Sequence, residues 1–132
     1  VYFDNAATTK IRDEVIDNMS NVLKDCIGNP SSTHSYGRSA KSYIETSRKS
    51  IAKILNCDPG EIIFNSGGTE SDNSILKCAV KDLGVKHIVT STIEHHAVGH
   101  TIDRLKTKGL VDVTYVHLDE NGHVDLQHLD QI

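Results

Sequence analysis

The sequence lacks tryptophan, has few prolines and few phenylalanines, and contains no apolar run near the roughly 20 residues that span a bilayer. Its charge is close to balanced, with 14 basic and 18 acidic side chains and a net charge of −4, so it lacks the basic excess of a nucleic-acid binder. The first ten residues show no basic stretch followed by an apolar one, which predicts no secretory signal there. A charged fraction of 24% is typical of soluble globular proteins. Together these features predict a soluble, intracellular protein, and 132 residues correspond to one domain.

The three cysteines, Cys26, Cys57 and Cys78, are odd in number and far apart, a pattern that fits reduced thiols in a cytosol. Cys26 precedes a turn, and Cys78 falls near the apolar face of a predicted helix. We expect both to pack as small hydrophobic residues rather than to act as nucleophiles.

Apolar periodicity predicts an alternation of helices and strands. The predicted helices cover residues 12–24, 38–56, a stretch that starts at residue 69, and 97–108; the predicted strands cover 61–65, 87–91 and 111–118. The second helix has one apolar stripe that we expect to be buried. After two leading helices the order is β-α-β-α-β, which predicts parallel strands covered by helices, an α/β fold. Three strands leave an exposed sheet edge, so we expect the first part of a larger α/β domain.

The stretch Phe64-Asn-Ser-Gly-Gly-Thr-Glu-Ser-Asp-Asn73 takes a predicted strand through a small-residue turn into a helix. Gly67 and Gly68 allow close approach of a ligand to the backbone, and a helix N-terminus favours an anion such as a phosphate. The Thr69 hydroxyl is a further donor. The alternative is structural, with Thr69 and Asp72 forming a helix cap that resembles a capping box.

The stretch Ile93-Glu-His-His-Ala-Val98 follows the next predicted strand. Because parallel strands end at one edge of a sheet, we expect His95 and His96 near the Gly68–Thr69 turn. An imidazole there can stack on a planar ring or move a proton. Two alternatives are a solvated loop histidine and a metal pair formed by His96 with His100, four residues on. We predict no metal site, since no C-x-x-C spacing supplies further ligands.

A third stretch, Asp4-Asn-Ala-Ala-Thr-Thr9, is small and polar and precedes the first helix. Together with Gly28-Asn-Pro-Ser-Ser32, His34 and the two stretches above, it resembles the N-terminal part of the NifS/IscS-type cysteine desulfurases. These belong to the class V aminotransferase fold group. The matching stretches are collinear and span essentially the whole chain.

The resemblance implies the first half of an aspartate aminotransferase-like PLP-transferase large domain, with helices packed on a mainly parallel sheet. Residues 1–11 are then an N-terminal segment near the active site, and 12–132 an incomplete pyridoxal-phosphate-binding α/β domain. Gly68 and Thr69 are implied to hold the phosphate of pyridoxal 5'-phosphate. His95 is implied to stack on the cofactor ring and to assist proton transfer. Asn5, Ala6 and Ala7 are implied to border the substrate pocket.

The reaction that the resemblance implies converts L-cysteine to L-alanine and leaves sulfur on an enzyme cysteine as a persulfide, with pyridoxal phosphate as electron sink. An iron–sulfur scaffold protein or another acceptor then takes the sulfur. The resemblance further implies a cytoplasmic homodimer. Gly68 departs from many relatives, which carry alanine there, a change harmless to a backbone phosphate contact.

The family's Schiff-base lysine lies in a Ser-x-His-Lys context, which none of the lysines here shares. Cys26, Cys57 and Cys78 are also not at the position of the family's sulfur-accepting cysteine. We therefore expect this chain alone to be inactive. The alternatives are a selenocysteine lyase or another class V enzyme, and a non-catalytic fragment.

Overall fold

A computed structural model describes residues 1–132, which form two compact units, 1–63 and 64–132. The first contains helices α1 (Asp13–Asp25) and α2 (Ser35–Leu55) and a single 3₁₀ turn, Pro59–Glu61. The second contains, in order, α3 (Gly68–Lys81), β1 (His87–Thr90), α4 (His96–Thr107), β2 (Asp112–Tyr115) and α5 (Leu126–Leu129). No helix has the combination of length and apolar content needed to cross a membrane. The helices predicted from periodicity are confirmed, with ends shifted by a few residues.

Capping residues set the limits of α2 in the first unit. His34 precedes the helix and accepts a hydrogen bond from the Gly37 amide through Nδ1 at 3.3 Å. Asn56 ends it in the left-handed conformation, with φ 52°. Gly28 approaches the Tyr36 carbonyl so closely that a Cβ at residue 28 would overlap it. The Gly28 to Ser32 turn is therefore held against the start of α2 by a contact that only glycine permits.

The apolar stripes of the first unit are present but largely uncovered. Helix α1 buries none of its residues, and α2 buries only Gly37, Ala40 and Ala52. Ile54 of α2 is 82% exposed. The prediction that the α2 stripe is buried is therefore wrong for its large side chains, because the only element of the first unit that contacts α2 is the short 3₁₀ turn Pro59–Glu61.

The predicted strand at residues 61–65 is also absent. Asp58, Pro59 and Gly60 form the expected turn, which continues as a 3₁₀ turn closed by a capping box between Asp58 and Glu61. Ile62 then has extended φ and ψ, but the only sheet is the pair β1–β2. A segment of strand composition becomes a strand only when a neighbour satisfies its backbone groups, and here no neighbouring strand does so.

The second unit has the predicted parallel connection. Strands β1 and β2 pair in parallel, with His87 opposite Asp112 and Thr90 opposite Tyr115, and α4 is the crossover between them. The core of the unit joins Val80 of α3, Leu105 of α4 and Val111, all less than 10% exposed. Val80 and Leu105 lie in the last turns of α3 and α4, so this core joins the C-terminal halves of the two helices. After β2, an isolated antiparallel bridge between Leu118 and Val124 leads into the short helix α5.

Candidate functional site

The turn before α3 has a backbone conformation that requires glycine. Gly67 lies at φ 148° and ψ −176°, a region open essentially to glycine alone. The Asn65 side chain accepts from the Gly67 amide at 3.0 Å. Glu70, one turn into the helix, accepts from both the amide and the hydroxyl of Ser66, each at 2.7 Å. These contacts shape the turn from within the motif itself, and they lower the pKa of Glu70 below its ordinary value.

The first backbone N–H groups of α3 have no capping side chain. Gly67 is the N-cap, and no side chain caps the helix, so the hypothesis that Thr69 and Asp72 form a capping box is wrong. The first hydrogen bonds to the Gly67 carbonyl come from Glu70 and Ser71, which leaves the amides of Gly68 and Thr69 without an acceptor in the helix. Both residues are exposed, and nothing lies within 4 Å of a Cβ built on Gly68. Free amides at a helix N-terminus are an anion-binding arrangement.

The start of α4 is capped by His95. Its Nδ1 accepts a hydrogen bond from the Ala97 amide at 3.1 Å, and its backbone has φ −57° and ψ 145°. A neutral imidazole has one acceptor nitrogen, so a proton-free Nδ1 places the ring proton on Nε2. The cap thus holds the His95 ring in one orientation and leaves Nε2 and the exposed ring available to a ligand.

Helices α3 and α4 are joined by the side chain of Asn73. Its Nδ2 donates to the Thr69 carbonyl at 2.9 Å and to the Ala97 carbonyl at 3.4 Å, and its Oδ1 accepts from the Thr101 hydroxyl at 2.9 Å. Thr101 is 5% exposed and Ala97 is 8% exposed. Sequence reasoning assigned Asn73 no role. The sequence feature that could have indicated its role is its position one helical turn after Thr69, on the same face of α3.

A cavity of about 340 Å³ lies where these two helix starts meet. It is lined by Thr69, Asn73, His95, His96, Ala97, His100, Thr101 and Arg104. The expectation that His95 and His96 lie near the Thr69 turn is therefore confirmed. Gly68 directly precedes the lining residue Thr69. Asn5, Ala6 and Ala7 are exposed residues of the first unit, and their place in a substrate pocket stays a prediction.

The two histidines of the alternative metal pair stack on one another. The rings of His96 and His100 have centroids 5.1 Å apart and planes inclined by 29°. No group of three or more side chains of histidine, cysteine, aspartate or glutamate is placed to hold a metal ion. The cavity wall next to His95 is thus formed by two stacked imidazoles and, one turn further on, the Arg104 guanidinium.

The three cysteines are free thiols in different surroundings. Cys26 and Cys57 are half-buried, whereas Cys78 is exposed, so the prediction that Cys78 packs as a small hydrophobic residue is wrong. Its position on α3 faces solvent and Asp82. A hydrogen bond to Asp82 raises the pKa of the Cys78 thiol, with burial and the charge of Asp82 adding to the effect. A raised pKa disfavours the thiolate, which is the nucleophilic form.

Comparison with known proteins places this site in a family. The family model for class V aminotransferases matches residues 1–132, and the chain belongs to that family. It is 46% identical over 127 residues to the cysteine desulfurase IscS of Dictyoglomus turgidum, covering 95% of this chain and 32% of that protein. It is 46% identical over 132 residues to the cysteine desulfurase IscS of Methanosarcina thermophila, covering 98% of this chain and 32% of that protein.

Solved structures show the same relationship. A NifS-like protein superimposes with a TM-score of 0.91 at 40% identity, over 100% of this chain and 36% of that one. A structure titled SspA in complex with cysteine superimposes with a TM-score of 0.86 at 33% identity, over 98% of this chain and 38% of that one. The chain therefore spans about a third of the length of the curated relatives it matches. Its fold is that of the first part of a NifS-like transferase, and the cysteine desulfurases of this family are pyridoxal-phosphate-dependent enzymes.

Proposed function

We propose that these residues form the phosphate-binding and ring-stacking part of a pyridoxal-phosphate-dependent cysteine desulfurase. The observation that carries the proposal is that Thr69 and His95, at the starts of α3 and α4, line the same cavity. One helix start offers unpaired donors, and the other offers an oriented aromatic ring. A planar ring that carries a phosphate needs both, at a short distance from each other.

The residues fit the phosphate. The amides of Gly68 and Thr69 are unpaired within α3, the α3 dipole favours negative charge at that end, and the Thr69 hydroxyl is a further donor. The turn brings backbone rather than bulky side chains to the ligand, because Gly67 and Gly68 have no Cβ. We assign Gly68 and Thr69 to bind the cofactor phosphate.

The residues also fit the ring. His95 is exposed, and its cap to the Ala97 amide fixes the plane of the imidazole. We assign His95 to stack on the cofactor ring and, through Nε2, to hold or move a proton at the substrate. When bound, pyridoxal phosphate supplies an electron sink for negative charge at the substrate Cα.

The substrate that we propose is L-cysteine, with L-alanine as product and sulfur passed to an enzyme cysteine as a persulfide. This rests on the named cysteine desulfurases among the relatives and on the neighbour solved with cysteine. We assign Asn5, Ala6 and Ala7 to the border of the substrate pocket. An iron–sulfur scaffold protein or another sulfur acceptor then takes the sulfur, and we propose a cytoplasmic homodimer as the working form.

Two chemical roles fall outside these residues in our proposal. No lysine here stands in a Ser-x-His-Lys context, so the Schiff-base lysine comes from elsewhere in the complete protein. The raised pKa of Cys78 does not suit it to carry the persulfide. We therefore propose that residues 1–132 hold the cofactor but do not catalyse desulfuration by themselves.

The test uses the complete polypeptide, whose intact mass is measured first under denaturing conditions. Purified protein is titrated with pyridoxal phosphate and followed by the visible absorbance of the bound cofactor. Alanine is then measured with L-cysteine or L-selenocysteine as substrate. We expect saturable cofactor binding and alanine from L-cysteine. Protein that binds no cofactor would refute the proposal, and alanine from selenocysteine alone would indicate a selenocysteine lyase instead.

A further inference from the structure

Asn73 makes three hydrogen bonds that cross from α3 to α4. Its amide group donates to the Thr69 carbonyl and the Ala97 carbonyl and accepts from the Thr101 hydroxyl. Both N–H groups and the oxygen of this amide therefore have partners. A side chain with two donors and one acceptor in this arrangement matches asparagine and no smaller residue.

The hydrogen-bond partners of Asn73 connect it to both parts of the proposed site, the phosphate-binding turn at Thr69 and the His95 ring. Thr69, whose carbonyl Asn73 binds, carries the amide and hydroxyl that we assign to the phosphate. Ala97 gives its carbonyl to Asn73 and its amide to Nδ1 of His95 at 3.1 Å. One side chain is thus connected to the phosphate end directly and to the His95 ring through a single residue.

The surroundings make this connection rigid. Thr101 and Ala97 of α4 are both buried, at 5% and 8% exposure, and α4 packs against α3. The two bonds from Asn73 to α4 are partly buried, so water competes less for them than for the exposed bond to the Thr69 carbonyl. Small displacements at Asn73 are therefore transmitted to Ala97 and to the ring it orients.

We propose that Asn73 is a positioning residue that sets the His95 ring relative to the Thr69 phosphate site. The inference rests on the proposed function for its ligand, but its structural content concerns only this chain. We assign Asn73 no contact with the cofactor ring, although it lines the cavity. It acts on the His95 ring through Ala97, so its effect on the ring environment depends on His95, whereas its bond to the Thr69 carbonyl acts on the phosphate end separately.

The experiment is a double-mutant cycle in the complete polypeptide, with Asn73→Ala, His95→Ala and the double variant. Circular dichroism of the bound cofactor band reports the ring environment, and titration gives the affinity for pyridoxal phosphate. We expect Asn73→Ala to reduce the dichroic band at least about twofold and to weaken affinity about 2- to 10-fold, the effect of one lost hydrogen bond. In the His95→Ala background, we expect Asn73→Ala to leave the remaining band unchanged.

A matched pair at residue 101 tests the same connection from the other side. Thr101→Val removes the hydroxyl at nearly constant volume, and Thr101→Ser keeps it. We expect the valine variant to reduce the cofactor band as Asn73→Ala does, and the serine variant to retain it. Equal loss of the band from Asn73→Ala with and without His95 would show a general structural role and overturn the proposal.

A second readout separates this inference from the proposed function. Hydrogen exchange of the Ala97 amide, measured by NMR in cofactor-free protein, reports its bond to His95. We expect faster exchange in Asn73→Ala and Thr101→Val than in Thr101→Ser. Unchanged exchange would overturn the positioning role even if the protein binds pyridoxal phosphate. Faster exchange in a protein that binds no cofactor would leave the positioning of His95 standing and reject the proposed function.

Discussion

Glu70 holds the turn that precedes its own helix, accepting hydrogen bonds of 2.7 Å from both the amide and the hydroxyl of Ser66. The two residues are four apart, and between them lie Gly67, Gly68 and Thr69, of which we assign the last two to phosphate binding. The shape of the candidate phosphate site therefore depends on the charge state of the Glu70 carboxylate.

This relationship predicts that the turn before α3 loses stability at acidic pH. The hydrogen bonds from Ser66 lower the pKa of Glu70 from 4.5, so the ionised form is favoured in the folded turn. The stabilisation is fully present above pH 4.5 and is lost as the pH falls through the lower value of the folded state. We expect the NMR shift of the Ser66 amide to titrate in that acidic range. In Glu70→Gln the same amide should show no such titration, and a titration that persists would assign the effect to another group.

Gly67 and Gly68 form a matched pair with opposite expected outcomes. Gly67→Ala forces a side chain into a conformation open essentially to glycine, which costs about 1–3 kcal/mol of unfolding free energy. Gly68 lies in the first turn of α3 with open space around its Cβ position, so Gly68→Ala should stabilise by about 0.4–1 kcal/mol. Denaturant unfolding of the two variants measures both. Equal effects on stability would contradict the assignment of Gly67 as the strained residue.

The Thr69 hydroxyl is expected to contribute to cofactor retention. Thr69→Ala removes a donor to a charged group, worth about 1.5–3 kcal/mol, and should weaken pyridoxal-phosphate affinity about 10- to 150-fold. Thr69→Ser keeps the hydroxyl and should stay near the parent affinity. The measurement is a fluorescence or absorbance titration of the complete protein. Unchanged affinity in Thr69→Ala would remove the hydroxyl from the phosphate site.

His95 has two roles in our account, and two substitutions separate them. Its ring faces the cavity, whereas its Nδ1 caps α4. His95→Asn keeps a good N-cap and removes the imidazole, while His95→Ala removes both and should cost about 0.5–2 kcal/mol of unfolding free energy. We expect both variants to lower turnover with L-cysteine and only the alanine variant to lower the melting temperature. Full activity of His95→Asn would exclude the ring from catalysis.

Cys78 should react slowly with alkylating reagents for an exposed thiol. The hydrogen bond to Asp82 raises its pKa, and Asp82→Asn removes the charge that opposes the thiolate. We expect Asp82→Asn to increase the rate of iodoacetamide modification of Cys78 near pH 8, read by mass spectrometry. The rate at Cys57, which is half-buried, provides the internal reference. A rate at Cys78 that does not respond to Asp82 would contradict the pKa assignment.

The sequence by itself determined the local elements whose signals lie within one segment. The spacing of apolar residues in α1, α2, α3 and α4 predicts those helices, because helical hydrogen bonds close within four residues. The collinear stretches around Thr69 and His95 likewise indicate the family. The closeness of Thr69 and His95 was expected from the ends of two parallel strands, but residues 61–65 pair with no strand, and the packing of α3 against α4 brings the two residues together instead.

The tertiary structure alone decided whatever depends on a partner distant in the chain. Residues 61–65 have strand composition but no neighbouring strand to pair with, and Cys78 is exposed because the core forms around Leu76 and Val80 on another face of α3. The hypothesis of a cap at Thr69 failed because the N-cap of α3 is Gly67, two residues before Thr69. Asn73 is the clearest case. Its amide acts on Ala97 and Thr101, residues 24 and 28 positions away, and only folding brings those groups within hydrogen-bond distance.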